Sequence, residues 1–145
     1  MPVDATINSA QLKLYGGPFL PEEGGDVSAF YVLDDSWREH GLTYNNRPNS
    51  SKTLTYTVEN ISSRSWYTWD ITEDVRDTFL TDKVLTEALV CENTVRETWI
   101  RFYSRDLVVI YPESDNRPKL EVTYTIPITP TPTPARSYFN PTYNI

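Results

Sequence analysis

Four side chains spaced two residues apart, Trp99, Arg101, Tyr103 and Arg105, form the pattern in this chain best suited to holding a ligand. Ile100 and Phe102 alternate with them. An extended strand here sends the apolar pair to one face and the rings and guanidinium groups to the other. Outward strand positions usually carry Thr, Lys or Glu, so two rings interleaved with two cations stand out. Flat aromatic faces stack on the C–H faces of sugar rings, and a planar guanidinium meets a uronate carboxylate or a sulfate through two parallel hydrogen bonds. Alternate residues of a strand stand about 7 Å apart, so adjacent members could engage neighbouring sugar units. Tyr31 and Lys119 extend this surface if their strands lie beside it. The competing arrangement has Trp99 and Tyr103 covered by the N-terminal loop, with the Arg stems packed over them.

Other chemistries find less support. Glu22, Glu23 and Asp26 share a Gly-rich loop and Asp34 and Asp35 are adjacent, which makes these five the only weak calcium candidates. Calcium takes roughly six to eight oxygens, many from loop carbonyls, but no calcium-loop motif is present and acidic loops are ordinarily just solvated. No cofactor is expected beyond that calcium option. The single cysteine, Cys91, excludes an intrachain disulfide and a thiolate cage. With His40 the only histidine, no Gly-x-Ser-x-Gly elbow and no phosphate loop, the chain is read as non-enzymatic. Twenty acidic residues hold no pair that spacing singles out for glycoside cleavage.

The elements that must position these residues come from one domain, since 145 residues are too few for two of ordinary size. A hydrophobic content of 39%, with 13% aromatic, is enough to fill a core. A net charge of −7 argues against a nucleic-acid partner. The charge is uneven: Arg96 to Lys119 holds five basic and four acidic residues, against 8 and 16 in the remainder. No apolar run is long enough to span a bilayer and no signal peptide is seen, so membrane insertion is not expected. Abundant Thr, Ser, Asn, Pro and aromatics favour an extracellular or cell-surface setting.

Period-2 alternation predicts strands over residues 3 to 16, Val27 to Leu33, Leu42 to Pro48, Leu54 to Val58, Trp66 to Ile71, Glu87 to Glu92, Trp99 to Asp106 and Lys119 to Ile126. In the fifth of these Tyr67, Trp69 and Ile71 share one side, which leaves Trp66 on the other as a candidate surface platform. One short helix is expected after Thr72, whose hydroxyl can cap it, with Val75 and Phe79 facing the core. The fold class is therefore all-β, a jelly-roll-like β-sandwich with one short helix. The sandwich is expected over 1–126, followed by a Pro/Thr-rich linker over 127–137 and an aromatic tail or the start of a following segment over 138–145.

Five motifs occur in order: P-x-x-A-T-I-x-x-A-x-L-x-L-Y from Pro2 to Tyr15, D-D-x-W at Asp34 to Trp37, L-T-Y-N-N-R-P from Leu42 to Pro48, W-Y-x-W-D-I-T-x-x-V from Trp66 to Val75, and F-Y-S-R from Phe102 running on to D-N-R-P-x-L-E-V-T-Y ending at Tyr124. In this order they resemble the DNRLRE, or disaggregatase-related, repeat domain over most of residues 2–124. The resemblance implies a non-catalytic jelly roll in secreted or cell-surface proteins, in some cases a carbohydrate-binding module for acidic polysaccharides. It also implies a further strand pair ahead of the first motif, where this sequence starts at Met1-Pro2: an open sheet edge is expected if the sequence is whole, another closure if it is a fragment. The expected partners are a polysaccharide, and copies of itself or a parent multidomain protein. The alternative is a structural surface or filament subunit that assembles by strand donation or by docking of its C-terminal tail.

Overall fold

The computed structural model describes residues 1–17, 25–43, 45–48, 53–62, 64–91, 100–105 and 115–128. In chain order these form β1 (Thr6–Tyr15), β2 (Val27–Tyr31), a 3-10 turn (Glu39–Gly41), β3 (Thr53–Val58), β4 (Trp66–Asp70), α1 (Thr72–Leu80), β5 (Glu87–Cys91) and β6 (Lys119–Thr125). The strands make two antiparallel three-stranded sheets, ordered β4-β1-β6 and β3-β2-β5. The architecture is the expected β-sandwich with one short helix.

The alternation in β1 shows how the sandwich closes. Ala10 and Leu14 are buried along with Ile7. Ile7 keeps to the inner face despite its odd spacing because the register against β6 shifts between Ile7 and Ser9, a bulge that turns one residue out of step. Val27 and Ala29 of β2 join the same buried cluster. Trp69 of β4 ties the layers together. It is fully buried, its indole N–H donates to the Val27 carbonyl at 2.9 Å, and its ring meets Phe102 edge-on with centroids 5.5 Å apart. A buried indole needs an acceptor for its one donor, and the facing sheet supplies it.

Helix α1 carries the chain from β4 in the first sheet to β5 in the second. Val75 is buried and Phe79, one turn on, packs against the core. The expected Thr72 cap does not form, because the capping position is Ile71 and makes no side-chain bond. Asp70 Oδ1 instead accepts from the Thr72 N–H at 3.1 Å and its hydroxyl at 2.6 Å, while the Ala10 N–H donates to that hydroxyl at 3.0 Å. The carboxylate is the stronger acceptor, and the hydroxyl is committed to β1.

Two expected strands differ. Over Leu42–Pro48 the described residues form no strand: Leu42 is extended but residues 45–47 turn, and Tyr44 lies outside the described set. Asn46 Oδ1 accepts from the Thr43 N–H at 2.5 Å and its hydroxyl at 2.8 Å, and Asn46 Nδ2 donates to the Gly41 carbonyl at 2.7 Å. Its amide takes up groups that a strand ladder would need. Over Trp99–Asp106, both end residues lie outside the described set, and Ile100–Arg105 forms one isolated bridge, Gly16 to Phe102, in place of a strand. Since β6 already occupies the edge of β1 from Thr6 to Lys13, only Leu14 to Gly17 remain to pair.

Candidate functional site

The outward face of the first sheet gathers rings and cations from four separate stretches. β1 and β4 pair with Tyr15 opposite Trp66. Two backbone bonds beyond the strand ends hold that register: the Gly16 N–H donates to the Ser65 carbonyl at 2.8 Å and the Arg64 N–H to the Gly16 carbonyl at 2.9 Å. Arg64 reaches this position with φ at 60°, a left-handed conformation that reverses the chain just before β4. Directly opposed residues of a sheet share a face, so Tyr15 and Trp66 meet edge-on with centroids 5.4 Å apart.

The Ile100–Arg105 segment adds a third ring. The Tyr103 N–H donates to the Tyr15 carbonyl at 3.0 Å and the Gly17 N–H to the Arg101 carbonyl at 2.6 Å. Phe102, opposite Gly16, then turns inward, and Tyr103 turns outward to lie 5.5 Å from Tyr15. Gly17 allows this approach. A Cβ there would stand 3.2 Å from Tyr103 Cε1 and 3.3 Å from the Arg101 carbonyl oxygen. The result is a row Tyr103–Tyr15–Trp66, with Trp66 39% exposed at its end.

Cations border the row. Lys13 and Lys119 sit directly opposite on β1 and β6, an unfavourable pairing of like charges. Each is relieved by a carboxylate: Lys13 by Glu121 at 2.6 Å, Lys119 by Asp115 at 2.7 Å. The Lys119 bond and charge hold the Asp115 carboxyl below its usual pKa. Strands lie about 4.8 Å apart, so the long Lys119 side chain reaches across β1. Its ammonium stands 4.9 Å from the Trp66 ring centroid. Arg101 is exposed beside Tyr103.

Of the residues singled out by sequence, Arg101, Tyr103 and Lys119 thus share one face. Trp99 lies outside the described residues. Arg105 is exposed and reaches Glu39 at 3.4 Å. Tyr31 belongs to β2, in the other sheet, and faces acidic neighbours: burial first, then the charges of Asp82, Asp74, Asp77 and Asp35, raise its pKa. Sequence reasoning missed Tyr15 and Lys13 because nothing local shows which strand lies beside β1. Trp66 was legible from its out-of-phase position.

The calcium candidates among the described residues do not converge. Asp26 and Asp34 flank β2 at opposite ends, roughly 25 Å apart along an extended chain. Asp26 Oδ1 accepts from the Asn60 N–H at 3.0 Å, and Asp34 Oδ1 accepts from the Ser36 N–H at 3.1 Å and its hydroxyl at 2.6 Å. The Ser36 bonds lower the Asp34 pKa. Asp35 is half-buried beside it, and Glu22 and Glu23 lie outside the described residues. Among the described residues no group of three or more His, Cys, Asp or Glu side chains could hold a metal ion.

Clefts among the described residues lie elsewhere. One, of about 350 Å³, is lined by Thr53, Thr55, Tyr56, Asp70, Glu73 and Asp74 among others, and another, of about 250 Å³, by Ile7, Arg76, Phe79 and Leu80 among others. The first is acidic and unsuited to an anion. Near it, Glu87 of β5 keeps both carboxyl oxygens from solvent, beside the Asp74 carboxyl. Burial first, and the neighbouring Asp74 carboxyl second, push its pKa up to about 8. Asp74 is itself buried, and its Oδ2 accepts from the Thr55 hydroxyl at 2.5 Å.

An open row of rings edged by cations is a surface along which a chain of sugars can lie, whereas a small ligand usually sits in a cleft. Comparison with curated proteins gave no match. A family model did match, over residues 1–124, covering β1 to β5, all but the last residue of β6, and every residue of the row. The name differs from the one the motif order suggested, while the carbohydrate-binding expectation is common to both. The chain belongs to carbohydrate-binding module family 96.

Proposed function

We propose that this domain binds an acidic polysaccharide along the outward face of its first sheet. The chain lies over Tyr103, Tyr15 and Trp66, and Arg101, Lys13 and Lys119 meet its anionic groups. The observation that supports this most is the continuity of the row: ring centroids 5.4 and 5.5 Å apart, with cations at its border, on a protein whose net charge is −7. A broadly basic surface would attract any polyanion, whereas a few cations placed beside rings recognise sugar and charge together. The domain acts without catalysis, as the binding part of a larger secreted or cell-surface protein. The Pro/Thr-rich stretch from Pro127 tethers it there. No helix among the described residues is long and apolar enough to cross a membrane.

Calorimetric titration with uronate-containing, sulfated and neutral polymers tests the reading. Anionic polymers should bind, with affinity falling as salt is raised. Tyr15→Ala should weaken binding by about 10-fold, the loss of one stacking contact of about 1 kcal/mol plus its support of the neighbouring rings. Full affinity in that variant would place the site elsewhere.

A further inference from the structure

Lys119 occupies an odd position for a residue that only supplies charge. Its ammonium is held at two points, 2.7 Å from Asp115 and 4.9 Å from the Trp66 centroid, while Tyr15 meets the same indole edge-on. The most exposed ring of the row is therefore already in contact with a cation. A sugar stacking on that face must first move it.

We propose that Lys119 is a charge-operated latch on the Trp66 ring, making the face selective for anionic over neutral chains. The inference rests on the reading of this face as the glycan site. A neutral sugar that displaces the ammonium gives up the cation–π contact and offers no comparable partner in return. A uronate carboxylate or sulfate ester takes the ammonium from Asp115 as it arrives, so uncovering the ring and forming the new ion pair are one event. Both holds are weak enough to yield. The Asp115 side chain is 74% exposed and the Lys119 side chain 37%, and exposed pairs are worth little in water. The flexible four-carbon stem lets the ammonium swing aside without moving β6. Lys13, the nearest other cation on these strands, is engaged by Glu121.

The test uses two ligands with the same backbone, a homogalacturonan oligomer and its fully methyl-esterified form, whose carboxylates are replaced by uncharged methyl esters, titrated into the full chain and its variants. Wild type binds the acid form more tightly. Lys119→Met weakens the acid form by about 10-fold, the loss of one charge-assisted hydrogen bond. The same variant tightens the ester by about 2–5-fold, the contribution of an exposed cation–π contact that no longer has to be broken. Asp115→Asn, which removes the competitor for the ammonium, tightens the acid form by about 2–5-fold and leaves the ester unchanged. A Lys119→Met protein whose ester affinity is unchanged or lower overturns the latch while leaving the site in place. A Trp66→Ala protein that binds the acid form as wild type does overturns the site itself. Absence of wild-type binding to both forms and to alginate oligomers would end both.

Discussion

Replacing Glu87 by Gln should remove a pH dependence that the fold carries in its second sheet. Both carboxyl oxygens are shielded from solvent, and the Asp74 carboxyl is the group they meet. The groups that face them are Asp74 on α1 and, directly across the strand pair, Tyr31 on β2. Neither offers a positive charge. The carboxyl therefore keeps its proton in the folded protein, with a pKa of about 8 against an ordinary 4.5. A folded state that holds a proton the unfolded chain has released loses stability as pH rises. The contribution is intact below about pH 4.5, declines through neutrality, and is gone once pH passes the folded value near 8. At full burial that displacement corresponds to about 5 kcal/mol. Glu87 is only partly buried, so solvent screens the charge and about 2 kcal/mol is expected. Gln preserves the shape, cannot ionise, and its amide can donate to Asp74. Urea unfolding at pH 5, 7 and 9 reads the effect: wild type and Glu87→Gln should be close at pH 5 and separate by about 2 kcal/mol at pH 9, with the variant more stable. Parallel pH profiles would refute the reasoning, since they would mean Glu87 is ionised in both states.

Other consequences follow from the same packing. Trp69→Phe should destabilise the domain by about 2–4 kcal/mol, because it removes both the fully buried indole volume and the donor to the Val27 carbonyl, as thermal unfolding would show. Gly17→Ala should push Tyr103 off the row, since the new methyl would meet both that ring and a backbone carbonyl at under 3.4 Å. Glycan affinity should drop by a few-fold with little change in melting temperature. Ending the chain after Ile126 should leave glycan binding unchanged in calorimetry, because the row is complete within the family-matched residues 1–124.

Much of the fold was legible because one-sided burial writes itself into alternation. Ala10 and Leu14 in β1, Trp69 in β4 and Val75 in α1 all lie inside as their spacing indicated. The misreadings share a cause in side chains and neighbours that a local pattern does not contain. Asn46 bonds Thr43 and Gly41 and so stops a strand from forming at Leu42, and Asp70 takes the place expected of Thr72. Ile100–Arg105 has a strand's alternation, yet most of the edge it would join is held by β6, residues 119–125. The alternation still orients its side chains correctly, with Phe102 inward and Tyr103 outward. The site was harder to read for a topological reason. Tyr15, Trp66 and Tyr103 are distant in sequence, and only the β1–β4 register and the Gly16–Phe102 bridge put them side by side.

The most direct test of the account is residue-resolved. Amide and indole NMR signals of the labelled domain, followed during titration with an anionic oligosaccharide, report where the ligand sits. Saturating shifts are expected at Tyr15, Trp66, Arg101, Tyr103 and Lys119, including the Trp66 indole N–H, with the exposed β3 residues Leu54 and Tyr56 unmoved. Shifts confined to β3 and the acidic cleft beside it, with Trp66 silent, would contradict it.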